Sequence, residues 1–283
     1  MKTTLTFEKI SMPAAHLGGE NPLPDLQIAD LHSSIEVGDS VSPEEARYFE
    51  YGKVNGSLPY RKQDQYDREK EERSFEAVVL ENDHLKAVFF PQFGGKLWSL
   101  YDKDGKRQLL HVNPVFQPAN LAIRNAWTSG GVEWNIGQLG HTFTTCSDVF
   151  FAKIRPENEE PFLRMYEYER LRGVSFQMDF FLPDGSRVLL ARMRLVNENA
   201  QTVPTYWWSN IAVPEWRGGR VVVPADAAYV ARDGVIFKDS VPVDRGGDDV
   251  TYPVNNPKAV DHFWKIAPER RKYIAHLNAD GWG

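Results

Sequence analysis

Alternating apolar and polar positions dominate this chain, whereas long apolar runs with the helical spacing of three and four are scarce. Residues 74–81 and 84–90 lie on either side of Asn82 and Asp83, two residues that favour turns, and in the first segment Phe75, Ala77 and Val79 alternate with Glu76, Val78 and Leu80. Side chains that repeat with a period of two line one face of a strand, so this stretch predicts a β-hairpin.

A second hairpin is predicted where residues 173–182 and 187–196 flank a Pro-Asp-Gly-Ser turn at residues 183–186. Further strands are predicted at residues 95–101, 149–154, 162–170, 206–213, 220–223 and 272–277. Many strands without intervening helices are typical of a large sandwich of antiparallel sheets. The predicted fold class is therefore all-β and mainly antiparallel.

The pattern is uneven along the chain and predicts three parts. Residues 1–60 form a β-rich extension with Pro and Gly turns, in which residues 43–47 open a short helix capped by Ser42. Residues 61–73 are a charged connector with almost no apolar side chain. Residues 74–283 form the sandwich.

A long surface loop is predicted at residues 239–258, which are rich in Gly, Pro and Asp. The loop either shapes a binding cleft or is a plain surface excursion. Its acids Asp244, Asp248 and Asp249 offer oxygen ligands for a hard cation, although solvated acids are the commoner case. No metal and no cofactor are predicted.

Composition narrows the class of protein. The formal net charge of −6 gives no overall basic character to attract nucleic acid or an anionic membrane. Cys146 is the only cysteine, so neither an intrachain disulfide nor a cysteine-rich zinc site can form. No apolar stretch resembles a signal peptide or a membrane span, and a cytoplasmic location is expected.

The richest stretch for chemistry is residues 126–137, in which a Gly pair precedes Glu133 and two tryptophans, Trp127 and Trp134, flank it; His141 follows. A carboxylate beside an imidazole can move protons, and flat indole rings suit the apolar faces of sugars. The alternative for Glu133 is a structural ion pair with Arg124, Arg192 or Arg194. For His141 it is a hydrogen-bonding role in the fold.

Four motifs in a fixed order carry a family resemblance. They are PQFGGKLWSL at residues 91–100, NPVFQPAN at 113–120, GGVEWN at 130–135 and YWWSNIAVP at 206–214; the turn at residues 21–24 adds to them. With these motifs the chain resembles a bacterial family of domains of unknown function. That family has a galactose-mutarotase-like β-supersandwich and is often fused to tetratricopeptide repeats.

The resemblance implies a carbohydrate cleft on the concave face of a sheet, and it leaves the reaction open, because the fold hosts epimerases, lyases and glycosidase domains. Trp207 and Trp208 are adjacent on a predicted strand and should face opposite ways. The candidate residues are Glu133 and His141 for proton transfer and Trp127, Trp134, Arg124, Trp208 and Asn210 for sugar binding. Some of the tryptophans are expected to fill the core instead.

Two functions follow from different classes. The first is a carbohydrate-acting enzyme, a glycoside hydrolase or sugar isomerase, with Glu133 transferring the proton. The resembling epimerases use a histidine where this chain has Tyr206, and hydrolysis needs a second carboxylate, for which Asp148, Glu215 and Asp226 are candidates. The second function is a non-catalytic carbohydrate-binding or interaction domain.

The C-terminal residues predict an incomplete sandwich. Residues 272–278 indicate a strand and 279–281 a turn, after which no partner strand follows before Gly283. Members of the resembling family continue further, so we expect either a truncated chain with exposed sheet edges or a naturally short end.

Overall fold

The structure is a computed structural model that describes residues 2–23, 36–52, 57–137, 141–256 and 258–279. Its strands are β1 (Thr4–Ala14), β2 (Glu36–Val37), β3 (Glu71–Glu81), β4 (Leu85–Phe90), β5 (Lys96–Asp102), β6 (Arg107–Gln108), β7 (Val132–Ile136), β8 (Phe150–Ile154), β9 (Phe162–Glu169), β10 (Val174–Phe181), β11 (Leu190–Asn197), β12 (Trp207–Ile211), β13 (Arg220–Val222), β14 (Ala227–Arg232), β15 (Val235–Ser240), β16 (His262–Lys265) and β17 (Ala275–Leu277). The α-helix α1 covers Pro43–Ala46, and 3-10 turns cover Arg47–Glu50, Pro91–Phe93 and Pro253–Asn255.

The chain divides into two compact units. The first comprises Met1–Ala29 and Val54–Val213, and the second comprises Asp30–Lys53 and Pro214–Gly283. This division differs from the sequence-based one at residues 60 and 73, which stays a prediction.

The first unit is an antiparallel sandwich, as the sequence predicts. One sheet has the order β1-β3-β4-β5-β7-β12, with β6 paired to β5, and the other has the order β11-β10-β9-β8. The main core lies between these sheets, where Phe89 of β4 and Trp134 of β7 meet Phe180 of β10. The predicted all-β class is confirmed.

The seven-stranded sheet is apolar on both faces. On β3, Val78 and Leu80 contribute to the main core, whereas Ala77 and Val79 join a second cluster with Phe90 on the opposite face. Alternation on a strand sends neighbours to opposite faces, so each face of this sheet has its own packing partners. The second cluster is completed by residues of connecting segments: Phe93, Phe116, Ala126 and Cys146.

Both predicted hairpins form, as β3-β4 and β10-β11. The predicted strand bounds elsewhere in this unit agree to within a few residues. Three strands of this unit were not predicted individually: the eleven-residue β1, the two-residue β6 and the short β7. All five residues of β7 are buried, including Glu133 and Asn135, so its polar positions do not mark a solvent face.

The second unit holds a sheet of order β16-β14-β15-β2, in which β2 runs parallel to β15, and the pair β13-β17. Ser42 caps α1 in a capping box with Glu45, which confirms the predicted helix start. The predicted C-terminal strand exists as β17 and pairs with β13. Pro24 and residues 280–283, on which other predictions fall, lie outside the described residues.

Two of the three acids named in the loop after β15 form ion pairs. Asp244 binds Arg232 at 2.9 Å, and Asp249 lies 3.7 Å from Arg220. In the described part of the chain, no group of three or more His, Cys, Asp or Glu residues is arranged to hold a metal ion. No described helix has the length and apolar character to cross a membrane.

Candidate functional site

Alternate residues of strand β7 face the main core on one side of the sheet and the candidate site on the other. Val132, Trp134 and Ile136 belong to the main core, so Glu133 and Asn135 face the other side of the sheet. The indole of Trp134 packs against Phe180, and its Nε1 donates to the Gly95 carbonyl at 3.1 Å. Trp134 therefore fills the core. This position corrects the prediction that its indole binds sugar.

Strand β12 pairs with β7 and adds two predicted residues to the Glu133 face. Asn210 is opposite Glu133 in the ladder, and Trp208 is opposite Asn135. Trp207 packs on Phe176 in the core, whereas the ring of Trp208 lies 5.5 Å from that of His141. The two adjacent tryptophans face opposite ways, as predicted.

Glu133 is a nearly buried carboxylate, 5% exposed, whose Oε2 accepts from three side chains. The donors are His141 Nδ1 at 2.8 Å, Trp127 Nε1 at 3.2 Å and, more distantly, Asn210 Nδ2 at 3.5 Å. The other oxygen, Oε1, is buried and has no hydrogen-bond partner among the described residues. Four of the predicted residues thus meet at one carboxylate.

Two influences of opposite sign act on the pKa of Glu133. Burial raises it, but the hydrogen bond and charge of His141, the charge of Lys96 and the Trp127 indole outweigh burial and hold the pKa below its ordinary value. Glu133 is therefore ionised at neutral pH, which suits a proton acceptor or a hydrogen-bond acceptor.

His141 is held by its neighbours in sequence and in space. Its φ of +56° lies in the left-handed region, and the next residue, Thr142, donates its N–H to Asn135 Oδ1 at 2.7 Å. Its ring lies between those of Trp127 and Trp208, at 5.2 and 5.5 Å. Asn135 thus ties the segment carrying His141 to the strand that carries Glu133.

The glycine pair before β7 permits a close approach of two strands. Gly130 and Gly131 have φ values of +86° and +64°, and a Cβ on Gly131 would clash with the carbonyl oxygen of Leu97 on β5. The same turn is bound by Gly131 N–H to His111 O and by Ala212 N–H to Gly131 O. This turn brings β5, β7 and the end of β12 around one cavity.

The cavity has a volume of about 210 Å³ and is lined by residues that include Lys96, His111, Trp127, Thr128, Glu133 and Asn210. Glu133 is the only carboxylate among its described lining residues. A volume below the roughly 300–1,000 Å³ of drug-sized sites suits a single small ring.

Lys96 is a site residue that sequence reasoning missed. It is 3% exposed, and its Nζ donates to the backbone carbonyl of Thr128 and to Thr128 Oγ1, the latter at 3.1 Å. Burial lowers its pKa to about 8, against the opposing charge of Glu133. The available signal was a charge within an apolar strand, the same signal that singled out Glu133.

Arg124 was predicted to bind sugar together with Glu133, but it lies at a different part of the structure. Its guanidinium binds Glu20, Ser147 and the carbonyls of Arg61 and Phe143, and it lines a separate cavity of about 440 Å³. Asp148 lines that second cavity too.

The predicted ion-pair alternatives for Glu133 do not form. Arg124 pairs with Glu20 and Arg192 with Asp179, whereas the side chain bound to the carboxylate of Glu133 at 2.8 Å is the imidazole of His141.

The sequence of this chain matches a family of domains, and its fold matches a solved structure. Residues 52–276 match DUF5107, a domain of unknown function. A solved structure of a TPR-domain containing protein from Parabacteroides distasonis ATCC 8503 superposes with a TM-score of 0.70 at 18% sequence identity. The match covers 93% of this chain and 40% of that protein, so the chain spans less than half of its structural neighbour.

Proposed function

Because the chain belongs to the DUF5107 family of domains of unknown function, we propose a role from its own site: a carbohydrate-acting, galactose-mutarotase-like domain that binds one sugar ring at Glu133. In this proposal Glu133 transfers a proton, His141 supports it and Trp127 packs against the ring. A cytoplasmic location remains part of the proposal, from composition alone.

The observation that carries the proposal is a buried, ionised carboxylate that lines a cavity. Its Oε2 is held by Trp127, His141 and Asn210, and its Oε1 lacks a described partner. A buried acceptor left unpaired costs about 1–3 kcal/mol. A sugar hydroxyl that reached Oε1 would remove this cost by donating a hydrogen bond.

The Glu133–His141 pair resembles the base-and-orienter arrangements of acid–base catalysis. With Nδ1 donating to the carboxylate, His141 is held in one tautomer and stabilises the charge on Glu133. Glu133 can then accept a proton from a sugar hydroxyl. Since one carboxylate lines the described cavity, the site favours isomerisation over a two-carboxylate hydrolysis.

The alternative is a non-catalytic carbohydrate-binding or interaction domain. The lowered pKa of Glu133 favours it, because a carboxylate stabilised in its charged form is a weaker base but a good hydrogen-bond acceptor. The likeness to part of a TPR-domain containing protein is a second support, since stacked repeats form extended binding surfaces.

The test is Glu133→Gln, which removes the charge and keeps the size. Mono- and disaccharides are screened for binding by calorimetry and for anomer or isomer exchange by NMR. We expect turnover to fall by about 10²–10⁴-fold, as for the loss of one acid–base group, while binding is retained. The control is Asp148→Asn, in the other cavity, which should leave both unchanged.

The outcomes separate the two functions. Binding without any turnover in the wild type supports the non-catalytic domain. Loss of turnover in Asp148→Asn as well would point back to a pair of carboxylates. If no saccharide binds at millimolar concentration, the carbohydrate proposal is wrong.

A further inference from the structure

The cavity at Glu133 holds a buried cation without a buried anion bound directly to it. Lys96 lies on the same face of β5 as Trp98, away from the main core, and its side chain is almost inaccessible to solvent. Its ammonium has three N–H donors, two of which reach the carbonyl and hydroxyl oxygens of Thr128. Both acceptors are neutral.

The described residues supply no carboxylate in an ion pair with Lys96. Glu133 shares the cavity and attracts it through space, but its Oε2 is already bound by His141 at 2.8 Å. A buried ammonium that lacks a direct counter-charge costs several kcal/mol, and such groups persist where a partner arrives with the ligand.

The remaining lining adds no second negative charge. His111 lies in the same cavity and can carry a positive charge but not a negative one. The nearby thiol of Cys146 stays neutral, because burial raises its pKa to about 12. The cavity thus presents one engaged carboxylate, a histidine and an ammonium that lies 5.8 Å from the centroid of the Trp127 ring and has one N–H without a described hydrogen-bond acceptor.

We propose that Lys96 makes this site selective for a sugar that bears an anionic group, such as the carboxylate of a uronate. The inference rests on the proposed carbohydrate function and names its substrate class. Lys96 donates its third N–H to the anion, while Glu133 receives a hydroxyl and Trp127 covers the ring.

The charge of Lys96 gives the proposal a pH signature. With a pKa of about 8, the free ammonium loses its proton as the pH rises through that value. Affinity for an anionic sugar should therefore be full near pH 7 and fall above pH 8, by up to tenfold for each pH unit. Affinity for a neutral sugar should not follow this course.

The experiment measures the binding of glucose, glucuronate and glucose 6-phosphate by calorimetry at several pH values. We expect glucuronate to bind about tenfold to a hundredfold more tightly than glucose, the range of one charge-assisted hydrogen bond. Glucose 6-phosphate distinguishes a preference for carboxylates from one for any oxyanion. Lys96→Met should abolish the difference.

The matched control is Lys153→Met, which removes a partly buried lysine of β8 whose Nζ donates to the Leu5 carbonyl, outside the cavity. It should leave the preference intact. Wild-type selectivity and its pH course need no variant, so they decide the question even if Lys96→Met fails to fold.

Equal affinity for glucose and both anionic sugars would overturn this inference and leave the proposed function standing. A preference that survives in folded Lys96→Met would also overturn it. Failure of all three sugars to bind, together with a negative saccharide screen, would count against the proposed function itself.

Discussion

At the scale of single residues, the site depends on how hydrogen bonds are distributed over the two carboxylate oxygens of Glu133. Oε2 of Glu133 carries three hydrogen bonds and Oε1 carries none from the described residues. Bonds to the charged form outweigh the cost of burial, and the pKa falls as a result. These hydrogen bonds keep Glu133 ionised, and they also weaken its affinity for a proton.

This shift predicts a pH dependence of folding. A carboxyl group whose pKa is lower in the folded state stabilises the fold above its unfolded value, near 4.5, and this contribution is lost as the pH falls through the folded value. Below pH 4.5 the wild type should lose stability faster than Glu133→Gln.

The measurement is the thermal midpoint by circular dichroism from pH 7 to pH 3. The difference between the two proteins isolates Glu133 from the other acids, which titrate in both. If the wild type gained stability relative to Glu133→Gln on acidification, the direction of the pKa shift would be wrong.

At the scale of elements, β7 shows what could and could not be predicted from sequence. The two hairpins follow from strand-like segments of period two that flank turns with suitable residues. In β7 both faces are buried, so Glu133 and Asn135 interrupt the pattern and hide the strand. The residues of β7 therefore indicated a functional site, but they did not predict a strand.

The site residues also differ in how far their meeting could be predicted from the sequence. Glu133, His141 and Trp127 are close in sequence, so their meeting could be expected. Trp208 and Asn210 arrive through pairing of β12 with β7, and Lys96 through β5, which depend on sheet order. Sheet order is a long-range property that local pattern does not encode.

The turn into β7 predicts a large effect from one methyl group. Gly131→Ala meets both a left-handed φ and the carbonyl of Leu97, whereas Gly185→Ala has a similar φ of +70° and open space. Backbone strain alone costs about 1–2 kcal/mol, so we expect that loss for Gly185→Ala and clearly more for Gly131→Ala. Urea denaturation measures both.

Equal losses in the two variants would show that the turn relaxes away from β5. A larger loss in Gly131→Ala, accompanied by weaker sugar binding, would show that the turn supports the cavity as well as the fold.

At the scale of the whole molecule, each of the two units has its own network of contacts. In the second unit, Glu45 of α1 accepts from Tyr229 at 2.8 Å and from Lys238 at 2.9 Å, and it also pairs with Lys265. These bonds tie an early segment of the chain to strands β14, β15 and β16, and the donors hold the pKa of Glu45 well below its usual range.

Glu45→Gln should therefore loosen the second unit locally. Glutamine keeps the capping box but loses the charge, and partly exposed ion pairs contribute about 0.2–1 kcal/mol each. We expect faster hydrogen exchange in β14–β16 and unchanged exchange in β9 and β10. Glu44→Gln, at a more exposed acid on the same turn, is the control. Faster exchange throughout both units would contradict this local effect.

One strand register serves both packing and chemistry. Because Glu133 and Trp134 are neighbours on β7, a one-residue insertion or deletion would move the carboxylate among the phenylalanines of the core and swing the indole into the cavity. Relatives of this chain should thus vary in the length of their loops while the spacing from Gly131 to Ile136 stays constant. We therefore expect the length of this strand to be constrained across the family.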